Sequence, residues 1–147
     1  MPHNWESELA TMLGDLLGVQ DSFLKLLAKK RTMLIAYDTK GLQSLAEEEG
    51  QLVEALQACV NRREELLGDA RREGLPSGSI RDLSTALPID QQHRLRPKVA
   101  EARSNSRILQ HHTLAHWAAV QRNLLHLSHL LEIIATGGRM KPTYTEE

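Results

Sequence analysis

Cysteine occurs once in the 147 residues, as Cys59, so there is no disulfide framework and no cysteine zinc site. Such sparing use of cysteine suits a reducing compartment. Aromatic residues make up only 3% of the chain. Sheets lean on aromatic and β-branched side chains, so a core left to Leu and Ala favours helices. Charge of one sign is also lacking: 18 Lys and Arg stand against 19 Asp and Glu, a net charge of -1. The whole-chain balance gives no basic footprint for nucleic acid and no polyanionic tail. No apolar run approaches the roughly 18 residues needed to span a bilayer. The opening "MPHNWESELATML" has no basic segment followed by an apolar one, so no signal peptide is read. The expected setting is the cytoplasm, without membrane insertion.

Catalytic fingerprints are missing too. There is no HExxH, no GxSxG and no phosphate loop. No Glu-x-x-His occurs, which argues against a di-iron carboxylate bundle; Asp90 and His93 make only an Asp-x-x-His. The expectation is a protein with no catalytic residues, no cofactor and no enzymatic activity.

What the sequence does have is helical periodicity over one domain's length of chain. From Trp5, apolar residues recur in steps of four and three: Leu9, Met12, Leu16, Val19, Phe23, Leu26, then Met33 and Tyr37, with Lys30 inside the pattern. A flanking stripe of Leu13, Leu17, Leu24, Leu27 and Leu34 widens the face, and two stripes suit a bundle better than a two-stranded zipper. Asn4 is placed to cap this helix, with Glu6 and Glu8 at the positive end of its dipole. "YDTKGLQSL" is a break, with Asp38, Thr39 and Gly41 as turn and cap residues, and a tight reversal or kink is expected there. A second helix is expected from Leu42 to about Glu73, on the stripe Leu42, Leu45, Leu52, Leu56, Cys59, Leu66 and Ala70, flanked by Ala46, Val53, Val60 and Leu67. Glu49 and Arg63 fall on that stripe. They read either as seam-edge residues with their heads in water or as polar residues that fix register. Gly74, Pro76 and Gly78 end the helix. Ser79 followed by Asp82 resembles a capping box opening a short helix with Ile80, Leu83 and Leu87 as its apolar patch. Pro97 suits the first turn of a last helix running to Thr136, before the stop at Gly137 and Gly138.

The fold class expected is therefore all-α: an antiparallel helical bundle of three long helices plus one short helix. Residues 1–138 form a single domain, and residues 139–147 a flexible tail with little to bury. The double stripes fit either a closed monomer or an open bundle closed by a second copy.

Five of the seven histidines crowd the last helix: His111, His112, His116, His126 and His129. At about 100° per residue, His116 lies on the seam's edge, His112 and His126 just outside it, and His111 and His129 face away. His112 and His116 lie four apart on one face. His126 is about 21 Å further along the axis and cannot share their metal. A zinc site needs three or four ligands, and no partner residues suggest themselves, so no metal is expected and the cluster reads as a solvated face.

Taken in order, four features resemble the FlgN family of flagellar export chaperones over nearly the whole chain. They are the leucine-paired first helix "ELATMLGDLLGVQDSFLKLLAKKRTMLIAYD"; the stretch "DTKGLQSLAEEEGQLVEALQACVNRREELL" with Asp38, Leu42, Leu45, Arg63, Leu66 and Leu67; the last helix with Asn105 and a leucine run ending at Leu131; and Tyr144 in "PTYTEE". Where the family commonly has a glycine close after that tyrosine, this chain has Thr145, Glu146 and Glu147. The resemblance implies a cytoplasmic chaperone without enzymatic activity. Its clients would be hook-associated (hook–filament junction) proteins, bound through amphipathic terminal segments and kept unassembled until they reach the flagellar export apparatus. A helical adaptor or structural coiled coil of another assembly would show the same seams. The client contact is expected at Leu124, Leu127, Leu130, Leu131, Ile133 and Ile134, with Met140 and Tyr144 as tail anchors. The first six spread apolar surface around more than one narrow seam, which signals either full burial or a surface awaiting a partner.

Overall fold

The structure, a computed structural model, describes residues 3–136, and side chains over residues 3–113. Among the described residues it is all-helical: α1 (Trp5–Ile35), α2 (Thr39–Ser44), α3 (Ala46–Arg72), α4 (Ile80–Thr85) and α5 (Ile89–Thr136). Three helices are long, as the stripes predict, but there are two short ones.

Each boundary has a local cause. The Asn4 side chain accepts from Ser7 N–H at 3.2 Å, and Glu6 and Glu8 lie in the first turn of α1. The chain reverses at Ala36–Asp38, where Asp38 N–H reaches back to the Met33 carbonyl at 2.8 Å and Tyr37 sits at φ 55°. Asp38 then caps α2 by accepting from Gly41 N–H at 2.9 Å. Gly41 thus lies inside α2 rather than at the reversal. A Cβ there would overlap the Asp38 carboxylate and press on Met33 Sδ, so glycine is needed for the cap to close over it. Only Leu45 separates α2 from α3, and it keeps right-handed helical angles. The expected single helix from Leu42 is therefore two pieces that meet at Leu45.

α3 ends as α1 does: Leu75 N–H donates to the Ala70 carbonyl at 2.9 Å across Gly74, whose φ is 75°. Ser79 caps α4 by accepting from Asp82 N–H at 3.0 Å, and Ile80, Leu83 and Leu87 are buried.

α5 begins at Ile89, eight residues before the position expected for it, and Pro97 lies inside the helix. The first turns form in spite of Pro97 because tertiary contacts hold them. Leu95 is fully buried, Gln92 Nε2 donates to the Thr85 and Leu87 carbonyls at 3.0 and 2.6 Å, and Arg94 pairs with Glu6 of α1.

α1 is the central element. α3 runs antiparallel to it, with Arg62 against Glu8 and Lys30 against Glu49. α5 runs parallel to it, with Arg94 against Glu6 and Ala102 and Ser106 against Gln20. Consecutive long helices are antiparallel, so the first and third point the same way. The main core gathers where α4 closes one end: Leu9, Met12 and Leu13 of α1 meet Leu66, Leu67 and Ala70 of α3, with Leu83, Leu95 and Ala102. Full burial of a leucine such as Leu83 contributes roughly 2–3 kcal/mol, which is how a two-turn helix is held in place. Val53 and Val60, expected to widen the α3 stripe, stay largely exposed.

Candidate functional site

Polar contacts between helices fix which residues stand level with which. Gln20 is the one buried polar side chain in the described core; it donates through Nε2 to the Ala102 carbonyl at 3.1 Å and to Ser106 Oγ at 3.0 Å. Its Oε1 finds no hydrogen-bond donor. Lys30 Nζ donates to both Glu49 oxygens at 2.8 Å, with the lysine head well covered, so Glu49 is a register contact. Arg63 turns to its neighbour Glu64 at 2.9 Å on the exposed side, the solvated alternative. At the closed end the His3 ring stacks on Trp5 with centroids 4.5 Å apart, and its Nε2 lies 3.0 Å from Asp69. Arg94 holds the Glu6 carboxyl below its usual range, chiefly by hydrogen bonding.

These contacts determine how far α5 reaches. With Glu6 beside Arg94 and Gln20 beside Ala102 and Ser106, Ile35 at the end of α1 comes level with roughly residue 120 of α5, at 1.5 Å per residue in both helices. α5 continues to Thr136. About fifteen residues, or roughly 22 Å of helix, therefore extend beyond the end of the helix that accompanies it.

Leu124, Leu127, Leu130, Leu131, Ile133 and Ile134 belong to that extension; their side chains lie outside the described residues. Met140 and Tyr144, and the whole of 139–147, also lie outside them. His111 and His112 are exposed and meet edge to face at 6.0 Å, while the side chains of His116, His126 and His129 are outside the described set. Among the described residues no three His, Cys, Asp or Glu side chains are grouped as a metal site would be, and no helix is long and apolar enough to cross a membrane.

A second surface, not anticipated from the sequence, is a shallow apolar groove between α1 and α3. Met12, Val19, Leu52, Ala55 and Cys59 line it around about 520 Å³. Gly14 and Gly18 open it, since nothing lies within 4 Å of where their Cβ atoms would be. Burial, and secondarily the Asp15 charge, pushes the Cys59 thiol up.

A family model described as FlgN protein matches residues 1–147. No curated protein sequence and no solved structure matches the chain.

Proposed function

Since the chain belongs to the FlgN family, a family of flagellar export chaperones, we propose that it binds hook–filament junction proteins in the bacterial cytoplasm and keeps them unassembled until export. The observation that carries this reading is the family match over the whole chain. The client surface is the extended part of α5 and the segment after it, with Leu124, Leu127, Leu130, Leu131, Ile133, Ile134, Met140 and Tyr144 as contacts.

Two observations support that placement. The run from Leu124 to Ile134 is densely apolar, and α5 there outreaches α1, so the helix that covers it elsewhere is no longer alongside. An amphipathic client segment can lie along such a helix in a helix-in-groove manner. Ordering a flexible client on binding limits its affinity and keeps release easy. The complex is then handed to the export apparatus.

The test uses two variants: truncation after Gly138, and Leu130→Asp combined with Ile133→Asp. Both should lose capture of purified junction proteins while the melting transition stays in place. Wild-type affinity in both would move the contact elsewhere. Unfolding of the double variant would make Leu130 and Ile133 core residues.

A further inference from the structure

Outside the surfaces described above, α4 and the first half of α5 enclose a groove of about 520 Å³ walled by Arg81, Arg96, Arg103 and Arg107, with Val99 and Ala100 among its lining. None of the four arginines makes an ion pair among the described residues, although Arg62, Arg63, Arg72 and Arg94 all do. All four are exposed, and no carboxylate lines the groove. Arg96, Arg103 and Arg107 are spaced seven and four residues apart, which at about 100° per residue puts them within roughly 40° on one face of α5. Asp90 and Glu101 fall more than about 100° away from that stripe. Several unpaired guanidinium groups around one groove raise its local potential, and an anionic occupant relieves that repulsion.

The spacing selects the class of occupant. From Arg96 to Arg107 the charges cover about 16 Å of helix axis, and Arg81 faces them from α4. A single small anion cannot meet all of them. A chain with carboxylates repeating along one face can, and guanidinium groups suit carboxylates through paired N–H donors. The apolar side chains of Val99 and Ala100 add a floor for the non-polar face of such a segment.

We propose that this groove is a docking site for an acidic amphipathic helix of a partner protein, separate from the surface at residues 124–144 and independent of what that surface binds. The site lies toward the closed end of the bundle, so one molecule can hold two protein segments at once.

The probe is a fluorescein-labelled synthetic helical peptide with glutamates at the same seven- and four-residue spacing and alanine and leucine on the intervening face. Fluorescence anisotropy should show saturable binding to the full chain that weakens with added salt. Arg96→Glu with Arg103→Glu should weaken it about tenfold or more, and Arg71→Glu, at an exposed, unpaired arginine on α3, should change it less than about twofold. A peptide with lysines in place of the glutamates should bind the doubly reversed variant better than the wild type. Circular dichroism melting of each variant separates lost docking from lost folding, and Arg96→Gln with Arg103→Gln serves if charge reversal unfolds the chain. Absence of binding to the wild type, or equal loss in Arg71→Glu, overturns the proposal. So does inorganic phosphate that displaces the peptide at matched concentration, which makes the groove a small-anion site. Self-association of the protein alone that disappears in the doubly reversed variant would give the groove to a second copy and overturn it as well.

Discussion

Tyr37 and Gly74 occupy equivalent positions at the ends of α1 and α3. Each is the left-handed residue after the cap, with φ of 55° and 75°, and each is followed by the same back-reaching bond, to Met33 and to Ala70. Glycine adopts this conformation at little cost, whereas a side chain there is strained by about 1–2 kcal/mol. Tyr37 is largely exposed, so its ring offsets little of that strain. Tyr37→Gly should therefore raise stability by about 1 kcal/mol and Gly74→Ala should lower it by about the same amount, measured by urea unfolding. Opposite signs are the check; two losses would mean the Tyr37 ring contributes packing the contacts do not reveal. Gln20 poses a different residue-scale question. Gln20→Ala removes two donated bonds from a buried seam and leaves a gap between α1 and α5, with an expected loss of about 1–3 kcal/mol. The sequence marked Gly74 plainly, because a glycine with a proline two residues on and a second glycine at Gly78 reads as a helix stop. It did not mark Gln20, which fills the gap between Leu17 and Leu24 in the flanking stripe, because a lone glutamine on an apolar stripe looks the same whether its head reaches water or a carbonyl on another helix.

At the scale of elements, all three long helices were legible, since apolar spacing of three and four is a property of each segment alone. Starts and pairings were less so, because they depend on other segments. Pro97 is the clearest case: a proline reads as a helix start by local rules, yet Leu95, Gln92 and Arg94 anchor two turns ahead of it. Inside the helix its ring leaves the His93 carbonyl without its usual donor. Pro97→Ala should restore that bond and raise the melting temperature, by up to about 3 kcal/mol of stability; an unchanged or lower melting temperature would show that a bend at Pro97 is required by the packing around Leu95 and Ala102. The arginine face of α5 stayed hidden for a related reason. A near-zero sum of charge says nothing about where the charges lie, and only the register of α4 against α5 brings Arg81 to the stripe. The proposed client contacts, by contrast, rest on the sequence and on the reach of α5.

For the whole molecule, acid should loosen the closed end of the bundle. Arg94 lowers the Glu6 pKa in the folded chain. A lowered carboxylate contributes stability that is present above its unfolded pKa and is lost as pH falls through the folded one. The wild type should thus exceed Glu6→Gln in melting temperature at neutral pH, and the difference should shrink below the ordinary carboxylate range and vanish in stronger acid. A difference that persists unchanged in acid would place the effect in packing rather than in the ion pair. The parallel course of α1 and α5 has a further consequence, for the order in which the chain is made. α1 and α3 are joined by a short reversal and can pair as soon as both have left the ribosome. The face of α1 around Gln20 has to wait for Ala102 and Ser106, more than eighty residues downstream. During that interval the nascent chain carries an uncovered apolar stripe, and contacts of such long sequence separation form late and slowly. A ribosome that stalls before α5 emerges would leave an α1–α3 hairpin with that stripe bare, so this member of a family of export chaperones is itself most prone to associate before the last third of its own chain has emerged.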